Sequence, residues 1–232
     1  MIDTMSFENL KFHYASGESI FAGLTYSFPM DGNFAVRTHG TTGRSTLLKI
    51  LVGALQPESG NYLINGLSVF NMSFEEFLFY RQKIGYGYDY GGLLSNKTLR
   101  ENMLLPLHYH NPDWVKDYSA RVDELMDVFG LYVNRNARPS EVSGSKRKAC
   151  CLARAFVMQP EVVLLDEPTQ GLTDGGIEVL ARLITKSRKD EGLRHVFISS
   201  ENETLLRLLQ CDSLWLGQTE IRMGARPNVG AA

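Results

Sequence analysis

The stretch Glu161-Val162-Val163-Leu164-Leu165-Asp166-Glu167-Pro168-Thr169 is an apolar run that ends in two adjacent carboxylates. Val162 to Leu165 has strand length and no polar alternation, the pattern of a strand buried on both faces of a parallel sheet. Acids seldom close such a strand without a cation or a donor to meet them. At the carboxyl edge of a parallel sheet the pair can hold Mg2+ and orient water. Solvated surface acids at a strand end are the alternative reading.

Immediately upstream, Val142-Ser143-Gly144-Ser145-Lys146-Arg147-Lys148-Ala149 opens a helix that runs from Lys146 to Met158 and stops before Pro160. Ser143 is placed to cap it, and free N–H groups at a helix start attract anions. Its basic first turn opposes the helix dipole, which favours an anion nearby; an ordinary capped helix is the bland reading. Downstream, helix 175–187, strand 194–199 and helix 203–210 follow, then strands at Ser213 to Leu216 and Thr219 to Arg222.

Further out lies a strand, loop and helix: Ala35-Val36-Arg37, then Thr38-His39-Gly40-Thr41-Thr42-Gly43-Arg44-Ser45-Thr46, then Leu47-Leu48. A phosphate-binding loop needs small residues whose backbone N–H groups face phosphate oxygens, a cation, and a hydroxyl for Mg2+. Gly43 and Ser45 meet the frame; Thr38 stands where its first glycine belongs, and Arg44 where its lysine belongs. A hydroxyl-rich loop with no ligand is the other reading of this segment taken alone.

The remaining pattern places strands at 6–14, 19–28 and 33–37, with the first as an edge strand. A helix follows at 45–52, then a hairpin punctuated by Pro57, Gly60 and Gly66, a helix at 74–82 and a strand from Ile84 to Tyr88. Helices at 97–104 and 112–129 are separated by Pro106 and Pro112. Alternating strands and helices predict an α/β sheet, into which a mostly helical segment, 88–155, is inserted.

Composition narrows the partners. Of 232 residues 44% are hydrophobic and 22% charged, a globular composition. The formal net charge of -2 provides no global basic field for nucleic acid or anionic lipid. No apolar run approaches the roughly 18 residues that cross a bilayer, and Met1 to Phe7 has no secretory-signal pattern. A cytosolic protein is expected, with any membrane spans supplied by a partner. The three cysteines, Cys150, Cys151 and Cys211, form neither a disulfide framework nor a metal spacing.

Taken together, the run from Pro139 to Ala155, Pro160 and the Asp166 segment resembles the signature, signature helix and Walker B strand of ATP-binding-cassette (ABC) ATPases. Ile84-Gly85-Tyr86-Gly87-Tyr88-Asp89, followed by Leu93-Leu94-Ser95 and Leu105-Pro106-Leu107, is similar to the family's Q-loop and permease-docking segment. The resemblance spans about residues 5 to 223. It implies a P-loop NTPase (RecA-like) core with an antiparallel β lobe and an inserted α-helical subdomain. The domain would cover 1–223, with core lobes 1–87 and 156–223, helical subdomain 88–155, and a flexible tail at 224–232. The Leu93 to Leu107 stretch is most similar to ATPases of Mla-type, MCE-associated lipid transporters.

The resemblance also implies roles. ATP and Mg2+ would be the ligands. Tyr14 would stack on adenine; Thr38, Gly40, Thr41, Thr42, Gly43, Arg44, Ser45, Thr46 and Asp89 would surround the nucleotide; Ser45 and Asp166 would hold Mg2+. Ser143, Gly144, Ser145 and Lys146 would form the signature, and Glu167 would be the catalytic carboxylate. The departures are concentrated in the working positions. Arg44 replaces a lysine, and its forked guanidinium does not fit a slot shaped for an ammonium. Thr38 and Thr41 replace glycines. Asp89 replaces the Q-loop glutamine, Thr173 the D-loop aspartate, and Glu201 the switch histidine; Ser145 and Lys146 replace the last two signature residues. A carboxylate at 201 would repel the γ-phosphate rather than stabilise it.

Phosphoryl transfer depends on positioning and charge neutralisation, so these losses compound. The expected function is an ABC subunit with little or no hydrolysis, peripheral on the inner face of the cell membrane. It would be paired with an integral membrane permease and a second ABC chain, identical or different. The alternatives are a structural adaptor that binds no nucleotide and an active ATPase with unusual motifs. His108 and His110 are expected to be solvated loop residues, His39 to lie near an anion, His195 to be structural, and Cys150 and Cys151 to pack.

Overall fold

The structure, a computed structural model, describes residues 1–40, 43–89, 92–111 and 113–224. In chain order the strands are β1 (Met5–His13), β2 (Ser19–Ser27), β3 (Asn33–Thr38), β4 (Ser59–Ile64), β5 (Leu67–Ser68), β6 (Ile84–Gly87), β7 (Val162–Asp166), β8 (His195–Ser199), β9 (Asp212–Leu216) and β10 (Ile221–Gly224). The α-helices are α1 (Arg44–Leu51), α2 (Phe74–Arg81), α3 (Leu99–His110), α4 (Trp114–Val128), α5 (Gly144–Arg154), α6 (Asp174–Asp190) and α7 (Glu203–Leu208). They fall into two compact units, Met1–Arg81 with Arg194–Ala232, and Gln82–Leu193. The expected flexible tail, apart from Gly224, lies outside the described residues.

In the first unit, β1 changes face halfway along. Met5 and Phe7 are buried, and so are Leu10 and Phe12, so the buried parity switches between the two pairs. The switch is made at Asn9, whose φ of 49° is left-handed, and the pairing registers with both neighbours shift there. This is the behaviour of a β-bulge. β1 is also not the edge strand its alternation suggests, because β2 and β4 pair on either side of it. Gly60 in β4 permits the close approach: at φ 84°, a Cβ there would stand 2.3 Å from the Asn9 carbonyl oxygen.

The same unit carries the strands that set the phosphate loop. β3 lies between β8 and β9, parallel to both, and β10 runs antiparallel beside β9. Phe28 packs edge-on against Phe7 and Phe197, and Tyr62 edge-on against Phe7. Each large ring buried in this way contributes about 2–3 kcal/mol. Tyr62 donates its hydroxyl to the Leu51 carbonyl at 2.8 Å, so the ring brings no unsatisfied polar group into the core. His195 is structural, as expected. It is fully buried, its Nδ1 accepts from the Asp31 N–H at 2.7 Å and its Nε2 meets the Ile2 carbonyl at 3.0 Å, an arrangement that suits the neutral Nε2–H form.

In the second unit, β6 and β7 pair in parallel, Ile84 opposite Val162 and Gly87 opposite Leu165. All five residues of β7 are buried, as its unbroken apolar run predicts. Helix α3 opens on a capping box between Thr98 and Glu101. It does not stop at Pro106, which lies inside it. Leu99, Met103, Leu104 and Leu107 form a buried stripe on both sides of the proline, and that burial outweighs the roughly 3 kcal/mol an interior proline costs. His108 and His110 consequently sit in the last turn of a helix rather than in a loop. Cys150 and Cys151 are buried as expected, and burial pushes the Cys150 thiol up to about 12. No described helix is long and apolar enough to cross a membrane.

Candidate functional site

The first unit carries the phosphate-loop half. β3 ends at Thr38, and α1 begins at Arg44 behind Gly43. Gly43 is the N-cap of α1 at φ 100°, a conformation only glycine adopts without strain, and no side chain caps the helix. An uncapped helix start headed by a left-handed glycine is what an anion-binding loop requires. The Thr38 hydroxyl donates to the Gly40 carbonyl, so this loop begins on a turn closed by its own residues. Thr41 and Thr42 lie outside the described residues. Thr46 is buried, and its hydroxyl is 2.9 Å from the Tyr14 hydroxyl. Tyr14 itself is exposed, with its ring edge-on to Phe12.

The cation of this loop is already engaged. Nη1 of Arg44 lies 2.5 Å from Oε1 of Glu201, a residue 157 positions later, between β8 and α7. The loop that carries Glu201 is held on both sides. Ser199 and Ser200 are buried before it, and Asn202 caps α7 after it by accepting from the Leu205 N–H at 2.9 Å. A second pair is built alongside, Arg37 to Glu203 at 2.7 Å. His39 is exposed, with one face of its ring stacked on Trp215 at 4.6 Å and 12°.

The second unit carries the carboxylate half. Asp166 ends β7 almost completely buried, and the Tyr86 hydroxyl donates to its Oδ2 at 3.4 Å. Burial, then the Asp166 charge, raises the Tyr86 pKa. Glu167 follows at φ 41°. A non-glycine residue held in left-handed backbone costs on the order of 1–2 kcal/mol, and such strain concentrates where a side chain must be aimed. Thr173, at the expected D-loop position, caps α6 by accepting from the Gly176 N–H at 3.2 Å.

The basic turn that opens α5 is tied into the second unit. Ser143 caps the helix, accepting from the Lys146 N–H at 3.4 Å. The three basic residues each have partners within the chain. Lys146 donates to Asn134 Oδ1 at 2.6 Å, and Arg147 to the Pro139 and Val142 carbonyls. Lys148 is buried and donates to the carbonyls of Tyr88 at 3.1 Å and Asp89 at 2.8 Å. Its ammonium also lies 3.7 Å from Asp89 Oδ1, an ion pair too long to be a hydrogen bond. Burial lowers the Lys148 pKa, partly offset by the Asp89 charge. Sequence reasoning passed over Lys148; the signal was a lysine on the inward face of α5 in the same chain as a new acid at 89. Ser143 and Gly144 remain exposed.

These residues fit a nucleotide and Mg2+ in kind. In the first unit Gly43 and the start of α1 suit phosphate, Ser45 provides a hard oxygen donor and Tyr14 offers an exposed ring; in the second unit Asp166 is itself a hard oxygen donor. Arg44 fits only in part, because its guanidinium is shared with Glu201. Among the described residues no group of three or more His, Cys, Asp or Glu is arranged to hold a metal ion by itself.

Residues 23–170 match the ABC transporter family. Methionine import ATP-binding protein MetN of Chlamydia caviae is 32% identical over 81% of this chain and 55% of its own length. MetN of Latilactobacillus sakei is 30% identical over 76% of this chain and 51% of its own. The chain thus spans about half the length of these curated relatives. Among solved structures, a dimeric ATP-binding cassette in a post-hydrolysis state bound to ADP and Pi superposes with a TM-score of 0.81. It is 21% identical and covers 95% of this chain and 98% of that one. An ATP-binding subunit of an ABC transporter gives 0.80 at 20% identity, covering 96% and 90%. These likenesses establish the fold as the α/β, P-loop NTPase fold of ABC ATPases.

Proposed function

This chain belongs to the ABC transporter family, and from that premise we propose that it is a nucleotide-binding subunit whose own site hydrolyses ATP slowly or not at all. The observation that carries the reading is the Arg44–Glu201 pair. The cation that should reach the phosphates is matched with a carboxylate at the position where the family keeps a histidine. With Asp89 drawn to Lys148 and Thr173 serving as a cap, two further positions that would assist phosphoryl transfer are committed to internal contacts. Gly43, Ser45, Asp166 and Glu167 are kept, which supports binding.

The subunit would act at the cytoplasmic face of a membrane, docked on an integral permease and paired with a second ABC chain. Ser143 and Gly144 are exposed at the start of α5, where they can complete a site on that second chain. If the second chain is an active ATPase, Ser143→Arg here should slow it; a rate indifferent to that change would count against the pairing. For cargo, the proposal keeps the lipid class implied by the Leu93 to Leu107 stretch, against the methionine named for the relatives. Methionine uptake restored by this chain with its permease would overturn the lipid reading. A structural adaptor that binds no nucleotide is the second reading, favoured by the same occupied Arg44.

Calorimetry with Mg2+ and either ADP or a non-hydrolysable ATP analogue decides between them. Binding that falls at least about tenfold in Arg44→Ala, a loss of about 1.4 kcal/mol, supports the nucleotide-binding subunit. Absence of binding at millimolar nucleotide supports the adaptor. Turnover in the ordinary transporter range, abolished by Glu167→Gln, would sink the claim of slow hydrolysis.

A further inference from the structure

Arg44 and Glu201 are each a departure from the family pattern, and the two departures are complementary. The guanidinium is mostly shielded, with 17% of its side chain exposed, while 57% of the Glu201 side chain faces solvent. The carboxylate therefore reaches from a hydrated edge to a largely covered cation at the first residue of α1. Its backbone is flanked by the Asn202 cap and by the buried Ser199 and Ser200, which keeps the carboxylate within reach of Arg44. A carboxylate on a guanidinium makes the same charge-assisted contact as a phosphate oxygen.

We infer that Glu201 is a tethered anion that takes, on Arg44, the place of a terminal phosphate, so that the loop selects a nucleoside diphosphate over a triphosphate. The inference rests on the nucleotide-binding reading given above. A diphosphate has no γ-phosphate to bring beside Glu201, so it contests Arg44 less than a triphosphate does. A triphosphate either displaces the carboxylate, forfeiting the ion pair, or brings further negative charge beside it, and like charges held close in a partly dehydrated site repel. Selection of this kind makes the resting site one that holds product-like nucleotide, which agrees with a subunit that does not turn over.

The test is calorimetric titration of the full chain with Mg·ADP and with Mg·AMP-PNP, a triphosphate whose β–γ bridge resists hydrolysis. The wild type should bind ADP at least as tightly as the triphosphate. Glu201→Gln preserves shape and removes the charge, and should tighten AMP-PNP about tenfold while changing ADP less than about threefold; tenfold is about 1.4 kcal/mol. Glu203→Gln, which removes the neighbouring carboxylate paired with Arg37, should leave the ratio of the two affinities unchanged. A wild type that prefers AMP-PNP by tenfold, or a Glu201→Gln variant that shifts both ligands equally, overturns the inference while leaving nucleotide binding standing. Failure of both ligands to bind wild type and Glu201→Gln alike overturns the nucleotide-binding reading itself, and the inference with it.

Discussion

Two charge pairs each include an altered family position, and they differ in almost every physical respect. Arg44 and Glu201 meet at 2.5 Å with the acid more than half exposed. Lys148 and Asp89 stand 3.7 Å apart with the base only 7% exposed and the acid 33%. The short pair lies where water competes; the long pair lies where water is largely gone. Distance alone would rank the first as the stronger, but burial decides what a deletion costs: an exposed ion pair replaces contacts that water already supplies, whereas losing one partner of a buried pair leaves the other's charge without compensation. The first pair is therefore expected to govern what binds, and the second to govern whether the Q-loop segment and α5 hold together.

The sharpest way to break that contrast is Lys148→Met. The substitution keeps length and apolar volume but strips the donor from the Tyr88 and Asp89 carbonyls and leaves the Asp89 carboxylate without its cation. The depressed Lys148 pKa means that part of the ammonium's hydration is not replaced in the fold, which trims the loss. A destabilisation of about 2 kcal/mol is expected, read as a lower urea midpoint at unchanged slope. Adding Asp89→Asn to that variant should recover about 1 kcal/mol, since the orphaned charge is then gone. If Lys148→Met proves as stable as wild type, the buried pair does not tie the Q-loop segment to α5.

Much of this architecture was legible in the sequence, and the failures share a cause. β7 could be read because four aliphatic residues followed by Asp166 and Glu167 admit few structures, and α1 because Gly43 punctuates it. The interior position of β1 was hidden because alternation assumes one face throughout, and Asn9 interrupts it with a single left-handed residue. Pro106 reads as a break because local rules see the missing N–H but not the buried stripe of Leu99, Met103, Leu104 and Leu107 that spans it. The site residues were found one at a time, as losses. That Arg44 and Glu201 answer each other, or Lys148 and Asp89, needs positions far apart in the chain to be considered together, and only the fold joins them.

The smallest expected effect separates the two pairs most cleanly. A double-mutant cycle over Arg44→Ala and Glu201→Gln should give a coupling below about 1 kcal/mol, because the acid is exposed. Raising salt to about 1 M, where the screening length shrinks to about 3 Å, should reduce it to a few tenths. The equivalent cycle over Lys148→Met and Asp89→Asn should give a larger coupling, measured again by urea unfolding, that salt barely changes, since mobile ions do not reach a base so deeply covered. Equal salt sensitivity in the two cycles would mean that the Lys148 ammonium is reached by water and ions after all. The contrast between a pair that gates binding and a pair that holds structure would then collapse into one kind of surface contact.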